Sequence, residues 1–92
     1  MFRYVIERDL PGVGSLSDAQ IREASQASGK ALADIGQGIQ WVRSHVTADR
    51  IYCEYLASSE NVVLDHARRA GLPANRVSEV KRVIDPLTAN AR

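Results

Sequence analysis

His45 lies in an alternating stretch, Trp41-Val42-Arg43-Ser44-His45-Val46, where a neutral imidazole can offer its lone pair to a metal ion or a proton. If the next apolar stretch, Ile51 to Leu56, folds back antiparallel, Glu54 reaches the same face as His45. Glu7 of the opening segment joins them there. One imidazole with carboxylate oxygens suits nickel or another divalent transition metal, so His45, Glu7 and Glu54 form the candidate metal site. The same pairing leaves plainer readings open. His45 stands opposite Tyr52, a simple cross-strand contact, and Arg43 stands opposite Glu54, where an ion pair would occupy the carboxylate. Trp41, Arg43 and Tyr52 suggest a second chemistry on that face, a small-molecule site. Their rings can stack on an apolar ligand while Arg43 orients an anionic group and His45 exchanges a proton, although nothing fixes a reaction class.

Other reactive side chains read as structural. His66 recurs with Val62, Val63 and Ala70 at helical spacing, as a satisfied, partly buried histidine does. No HxxxH spacing links the histidines. Cys53 falls with Ile51 and Tyr55 on the inward side and behaves as a small hydrophobe. Asp9, Asp49 and Asp85 adjoin turns, where a carboxylate accepts backbone amides. Gly12-Val13-Gly14 lacks the further glycines and lysine of a phosphate loop, and no acidic calcium loop or nucleophile elbow is present.

The elements that must position these residues follow from periodicity. Phe2 to Arg8 alternates as a strand, with Phe2, Tyr4 and Ile6 on one side and Arg3, Val5 and Glu7 on the other, until Pro11 and Gly12 stop it. Gly14 is expected to keep the connection flexible. A helix then begins at a capping box, either Ser17 with Gln20 or Ser15 with Asp18. Its apolar stripe runs through Ile21, Ala24, Ala27 or Ser28, Ala31, Leu32 and Ile35, Gly29 can allow close packing, and Gly36 and Gly38 end it. Ile39 to Leu56 predicts a hairpin turning at Ala48 and Asp49, which pairs Val46 with Ile51, Ser44 with Cys53 and Trp41 with Leu56. A second helix opens at Ser58 or Ser59 and closes at Gly71. The last strand is predicted from Val77 through Ile84, and Leu87 to Arg92 read as an irregular tail.

The sum is β-α-β-β-α-β, the ferredoxin-like α+β sandwich, in which a four-stranded antiparallel sheet carries both helices on one face. Length and composition agree with one domain over residues 1–92. The chain has 92 residues, 45% apolar and 25% charged, which suits a folded domain with a small core. Twelve basic against eleven acidic residues leave a charge of +1, so nothing draws the chain to nucleic acid or to a membrane surface. A single cysteine excludes an intrachain disulfide. No apolar run suits a signal peptide or a membrane span, so a cytoplasmic protein is expected. The uncovered sheet face, with Trp41, Leu56 and Val5 among charges, predicts a homodimer or higher homo-oligomer.

Four segments carry a resemblance across nearly the whole chain: Tyr4-Val5-Ile6-Glu7-Arg8-Asp9-Leu10-Pro11-Gly12, Ile39 to Thr47, Tyr52-Cys53-Glu54-Tyr55, and Ala70-Gly71-Leu72-Pro73-Ala74. In this order they resemble a family of small bacterial proteins of unassigned biochemical role, with ferredoxin-like domains, that includes a nickel-binding, nickel-responsive protein. The resemblance implies a compact subunit that assembles through its sheets, with a nickel site. Metal handling or sensing is therefore the leading expectation. A small-molecule-binding protein or enzyme, and an oligomeric structural or regulatory module, are the alternatives.

Overall fold

Alternation along Phe2–Asp9 produces strand β1, whose inward row is Tyr4, Ile6 and Arg8. A computed structural model, which describes residues 1–90, places the further elements in the expected order. Ala91 and Arg92 of the expected tail lie outside the described residues. After β1 a single 3-10 turn at Val13–Ser15 leads into helix α1, Asp18–Ile35. Ser17 and Gln20 form the capping box. The Gln20 amide donates to Ser17 Oγ at 3.2 Å, and the Ser17 amide donates to Gln20 Oε1 at 2.9 Å. Strands β2, Ile39–Val46, and β3, Arg50–Ala57, form the hairpin, with Ala48 and Asp49 at its tip.

Helix α2, Glu60–Ala70, is capped by Ser59 and ends at Gly71, whose φ of 70° is the left-handed conformation glycine tolerates best. Strand β4, Arg76–Glu79, completes a sheet of order β2-β3-β1-β4, antiparallel at every pairing. This is the ferredoxin-like arrangement. Its core is the row of Tyr4, Ile6, Cys53, Tyr55 and Ala57 beneath Val63 of α2, flanked by Leu32, Ile39, Trp41, Ile51, Ala74 and Val77.

Four expectations need correction. Strand β4 stops at Glu79, which pairs with Tyr4, and residues beyond Arg82 would have nothing opposite them in the chain. The last ladder bond is from the Val80 amide to the Arg3 carbonyl, at 2.8 Å. The tail is not wholly irregular either. Asp85 caps a short helix α3, Pro86–Ala89, by accepting from the amides of Leu87 and Thr88, and Pro86 supplies a preset first helical φ.

The glycine expectations also change. Gly14 is a close approach and not a flexible joint, since a Cβ there would lie 2.7 Å from Ala48 Cα and from the Thr47 carbonyl. Its amide donates to the Ala48 carbonyl at 2.9 Å, locking the turn to the hairpin tip. Gly29 faces open space on α1, so it serves no close packing.

These contacts set three stability outcomes. Val63→Ala should cost about 2 to 3 kcal/mol, through lost burial and the cavity left behind. Gly14→Ala should cost about 1 to 3 kcal/mol by forcing backbone apart, whereas Gly29→Ala should stabilise by about 1 kcal/mol. Urea unfolding midpoints, at unchanged slope, read all three.

Candidate functional site

The uncovered face of the sheet presents Arg3, Val5 and Glu7 from β1, Arg43 and His45 from β2, and Tyr52, Glu54 and Leu56 from β3. His45 stands opposite Tyr52 and Arg43 opposite Glu54, as the hairpin register predicts. Glu7 lies on the far side of Tyr52, so two strand spacings, roughly 10 Å, separate its backbone from that of His45. Both carboxylates are engaged. Glu54 is paired with Arg3 and, at 3.5 Å, with Arg43. Glu7 lies 3.6 Å from Arg50 and 3.8 Å from Arg76. His45 is exposed, and its side chain makes no hydrogen bond among the described residues.

Trp41 is not on this face. A β-bulge at Val42 gives β2 one extra residue, so Trp41 pairs with Tyr55 and turns toward the helices, while Gln40 takes the place opposite Leu56. The indole packs against the core and donates from Nε1 to Ser44 Oγ at 2.9 Å. The expected cluster of Trp41, Arg43 and Tyr52 is therefore divided between the two faces. With it goes the open-face aromatic wall of the small-molecule reading, and Trp41's share in an open-face interface.

Polar chemistry that the pattern did not reveal lies beneath the sheet. Continuing the alternation of β1 past Ile6 buries Arg8 completely, at 0% exposure. Its Nη1 donates to the Pro73 carbonyl at 2.6 Å and its Nε to Cys53 Sγ at 3.4 Å, but Nη2 finds no partner among the described residues. His66, equally buried, packs its ring 5.1 Å from that of Tyr55. Its Nε2 lies 3.3 Å from the Ser28 carbonyl and 3.2 Å from Ser28 Oγ. A carbonyl only accepts, so Nε2 carries the proton and the lone pair sits on Nδ1, which is buried without a partner among the described residues. Burial pushes the Tyr55 hydroxyl up, with Cys53 adding to the effect and Arg8 opposing it.

The sequence profile of a family described as nickel responsive protein SCO4226-like matches residues 4–80. The chain belongs to that family. The match to the SCO4226-like family spans the whole sheet, from within β1 to just past β4, and stops before α3. A solved structure, the crystal structure of SCO4226 from Streptomyces coelicolor A3(2), aligns with a TM-score of 0.74. The alignment covers 89% of this chain and 99% of that one at 20% identity, a likeness of fold. No curated protein matches the chain. No helix among the described residues is long and apolar enough to cross a membrane.

The family description raises the question of where nickel would sit. Among the described residues, no three His, Cys, Asp or Glu side chains gather in a way that could hold a metal ion. His45, Glu7 and Glu54 share a face but do not form a cage within one subunit.

The buried histidine predicts a pH dependence. Burial lowers the pKa of His66 below its ordinary value, and nearby Arg8 acts in the same direction, against the hydrogen bond that His66 donates to the Ser28 carbonyl. In the unfolded chain the imidazole titrates at about 6.5. Above that pH both states hold it neutral, so stability is unaffected. As pH falls below about 6.5 the unfolded chain takes up a proton that the folded chain refuses, and stability drops until the folded histidine also protonates. Urea unfolding from neutral to mildly acidic pH should show this loss in the wild type and a flatter profile in His66→Gln. Equal pH slopes would remove His66 as its source.

Proposed function

We propose that the chain handles or senses nickel, and that it binds the metal between copies of itself with His45 as a ligand from each. The observation that carries this reading is the exposed, unpaired imidazole of His45 on the uncovered sheet face of a SCO4226-like family member. Nickel accepts imidazole nitrogen and carboxylate oxygen, and a junction between two copies would double the donors that one subunit offers. Glu7 or Glu54 could complete such a site by exchanging an arginine for the metal. Ion pairs this exposed contribute only about 0 to 1 kcal/mol, so the exchange is inexpensive.

Assembly has its own support. Val83, Ile84 and Leu87 are 60%, 74% and 78% exposed, an apolar stretch that one subunit leaves uncovered. Burial of that stretch and of the open face against another copy would supply area that a chain of this length lacks. A homodimer is the smallest assembly that does so.

Calorimetric titration of metal-free protein with nickel, beside sedimentation with and without the metal, tests both parts. Saturable uptake should accompany a shift to the dimer or a larger form, and His45→Ala should lose uptake while keeping its circular dichroism spectrum. Unchanged uptake in His45→Ala would place the site elsewhere. An assembly that stays monomeric at saturating nickel would sink the shared-site reading.

A further inference from the structure

Beyond the end of the sheet the chain continues as an arm. Every residue from 81 to 90 is exposed, and Val83, Ile84 and Leu87 lie within that stretch. The arm is nonetheless built. Asp85 accepts from the amides of Leu87 and Thr88, its own amide donates to Thr88 Oγ1 at 3.1 Å, and Pro86 presets the first helical φ. The molecule is long because of it. Its longest extent is 45 Å, whereas an eight-residue strand and α1 each span only about 27 Å. Its radius of gyration, 14.2 Å, exceeds the roughly 12 Å of a compact chain of this length.

The same chain carries a receptor for such an arm. The 3-10 turn, the start of α1 and the end of β2 enclose an open groove lined by Leu16, Ile21 and Val46, of which Leu16 and Val46 are exposed. Asp18 stands on the groove and Arg82 on the arm; both are exposed, and neither has an ion-pair partner among the described residues. Strand β2 is also an edge of the sheet, with backbone groups that an extended segment can meet.

An arm cannot lay Ile84 in its own groove. Val80 bonds to Arg3, whereas Val46 lies across Ile51 from Arg8, so three strand spacings and five residues of β1 separate them, roughly 22 Å. Ile84, four residues past Val80, reaches at most about 14 Å. A second copy turned end for end brings its groove to the end of the sheet from which the arm leaves. Each copy has one arm and one groove, so a two-fold exchange closes with both filled.

We infer that the arm of one copy docks in the groove of a second and the exchange is reciprocal, with Val83, Ile84 and Leu87 covering Leu16, Ile21 and Val46, and Arg82 beside Asp18. This inference rests on the assembly proposed above and names the surfaces that meet, but it requires no metal.

Metal-free Ile84→Cys chains, mixed with isotope-labelled Val46→Cys chains and treated with a short bismaleimide, provide the test. Mass spectrometry should find bridged pairs that hold one chain of each kind. Ile84→Cys chains alone should stay unbridged, as should the wild type, whose one cysteine is buried. In sedimentation, Ile84→Asp should raise the dissociation constant of the dimer about tenfold or more at an unchanged circular dichroism spectrum, whereas Leu64→Asp, at an exposed leucine of α2 outside both surfaces, should not. A metal-free chain that stays monomeric, a dimer without the mixed bridge, or a dimer that Ile84→Asp leaves intact would each overturn arm docking, while the nickel titration still decides the His45 site. Bridged pairs from a chain without saturable nickel uptake would overturn the metal reading alone.

Discussion

Strand β1 is the constraint from which the rest of the subunit follows. It pairs with β3 along its whole length and with β4 on its other edge, so its inward row lies beneath both helices. Side chains in a strand alternate without exception unless a bulge intervenes, and β1 has none. Once Tyr4 and Ile6 enter the core, Arg8 must enter it as well. The interior therefore contains a cation that its helices do not neutralise, and the neighbouring groups respond to it. Cys53 and Pro73 accept from it, and its charge helps keep His66 neutral.

Most of the fold was legible because its signals are local. Ser17 and Gln20 state the start of α1, Gly71 the end of α2, and the hairpin pairs from Arg43 to Val46 follow from a turn at Ala48 and Asp49. The misses each depend on something that is not local. Val42 carries the bulge, yet Ile39 to Val46 contains no glycine or proline to announce it, and so Trp41 reads as outward. The end of β4 is set by how far it stays beside β1, which no residue between Val80 and Ile84 records. Arg8 was lost for another reason. Arginine reads as a solvent residue by type, although the alternation that assigns Tyr4 and Ile6 inward assigns Arg8 with them.

The two sides of the sheet use charge in opposite ways. On the open face Arg3, Arg43, Arg50 and Arg76 surround Glu7 and Glu54 in pairs that remain partly wet. Such pairs fix few energies but balance the surface, so a metal or a second copy can rearrange them at little cost. Beneath the sheet a single charge stands among apolar groups, where screening is weak and each missing partner counts. One residue of register decides which regime a side chain meets, and on β3 that line passes between Cys53 and Glu54.

This division bears on how much stability the subunit can give up. A domain of this size is stable by only about 5 to 15 kcal/mol, so a buried uncompensated guanidinium consumes a substantial part of what Tyr4, Ile6, Tyr55 and Val63 contribute. Replacing Arg8 with an apolar residue would repair the electrostatics at once, if packing were all the position had to satisfy. The cavity beside it sharpens the point, because a fold selecting only for stability would fill about 70 Å³ of space next to its core with a larger side chain at Ala24 or Ser28.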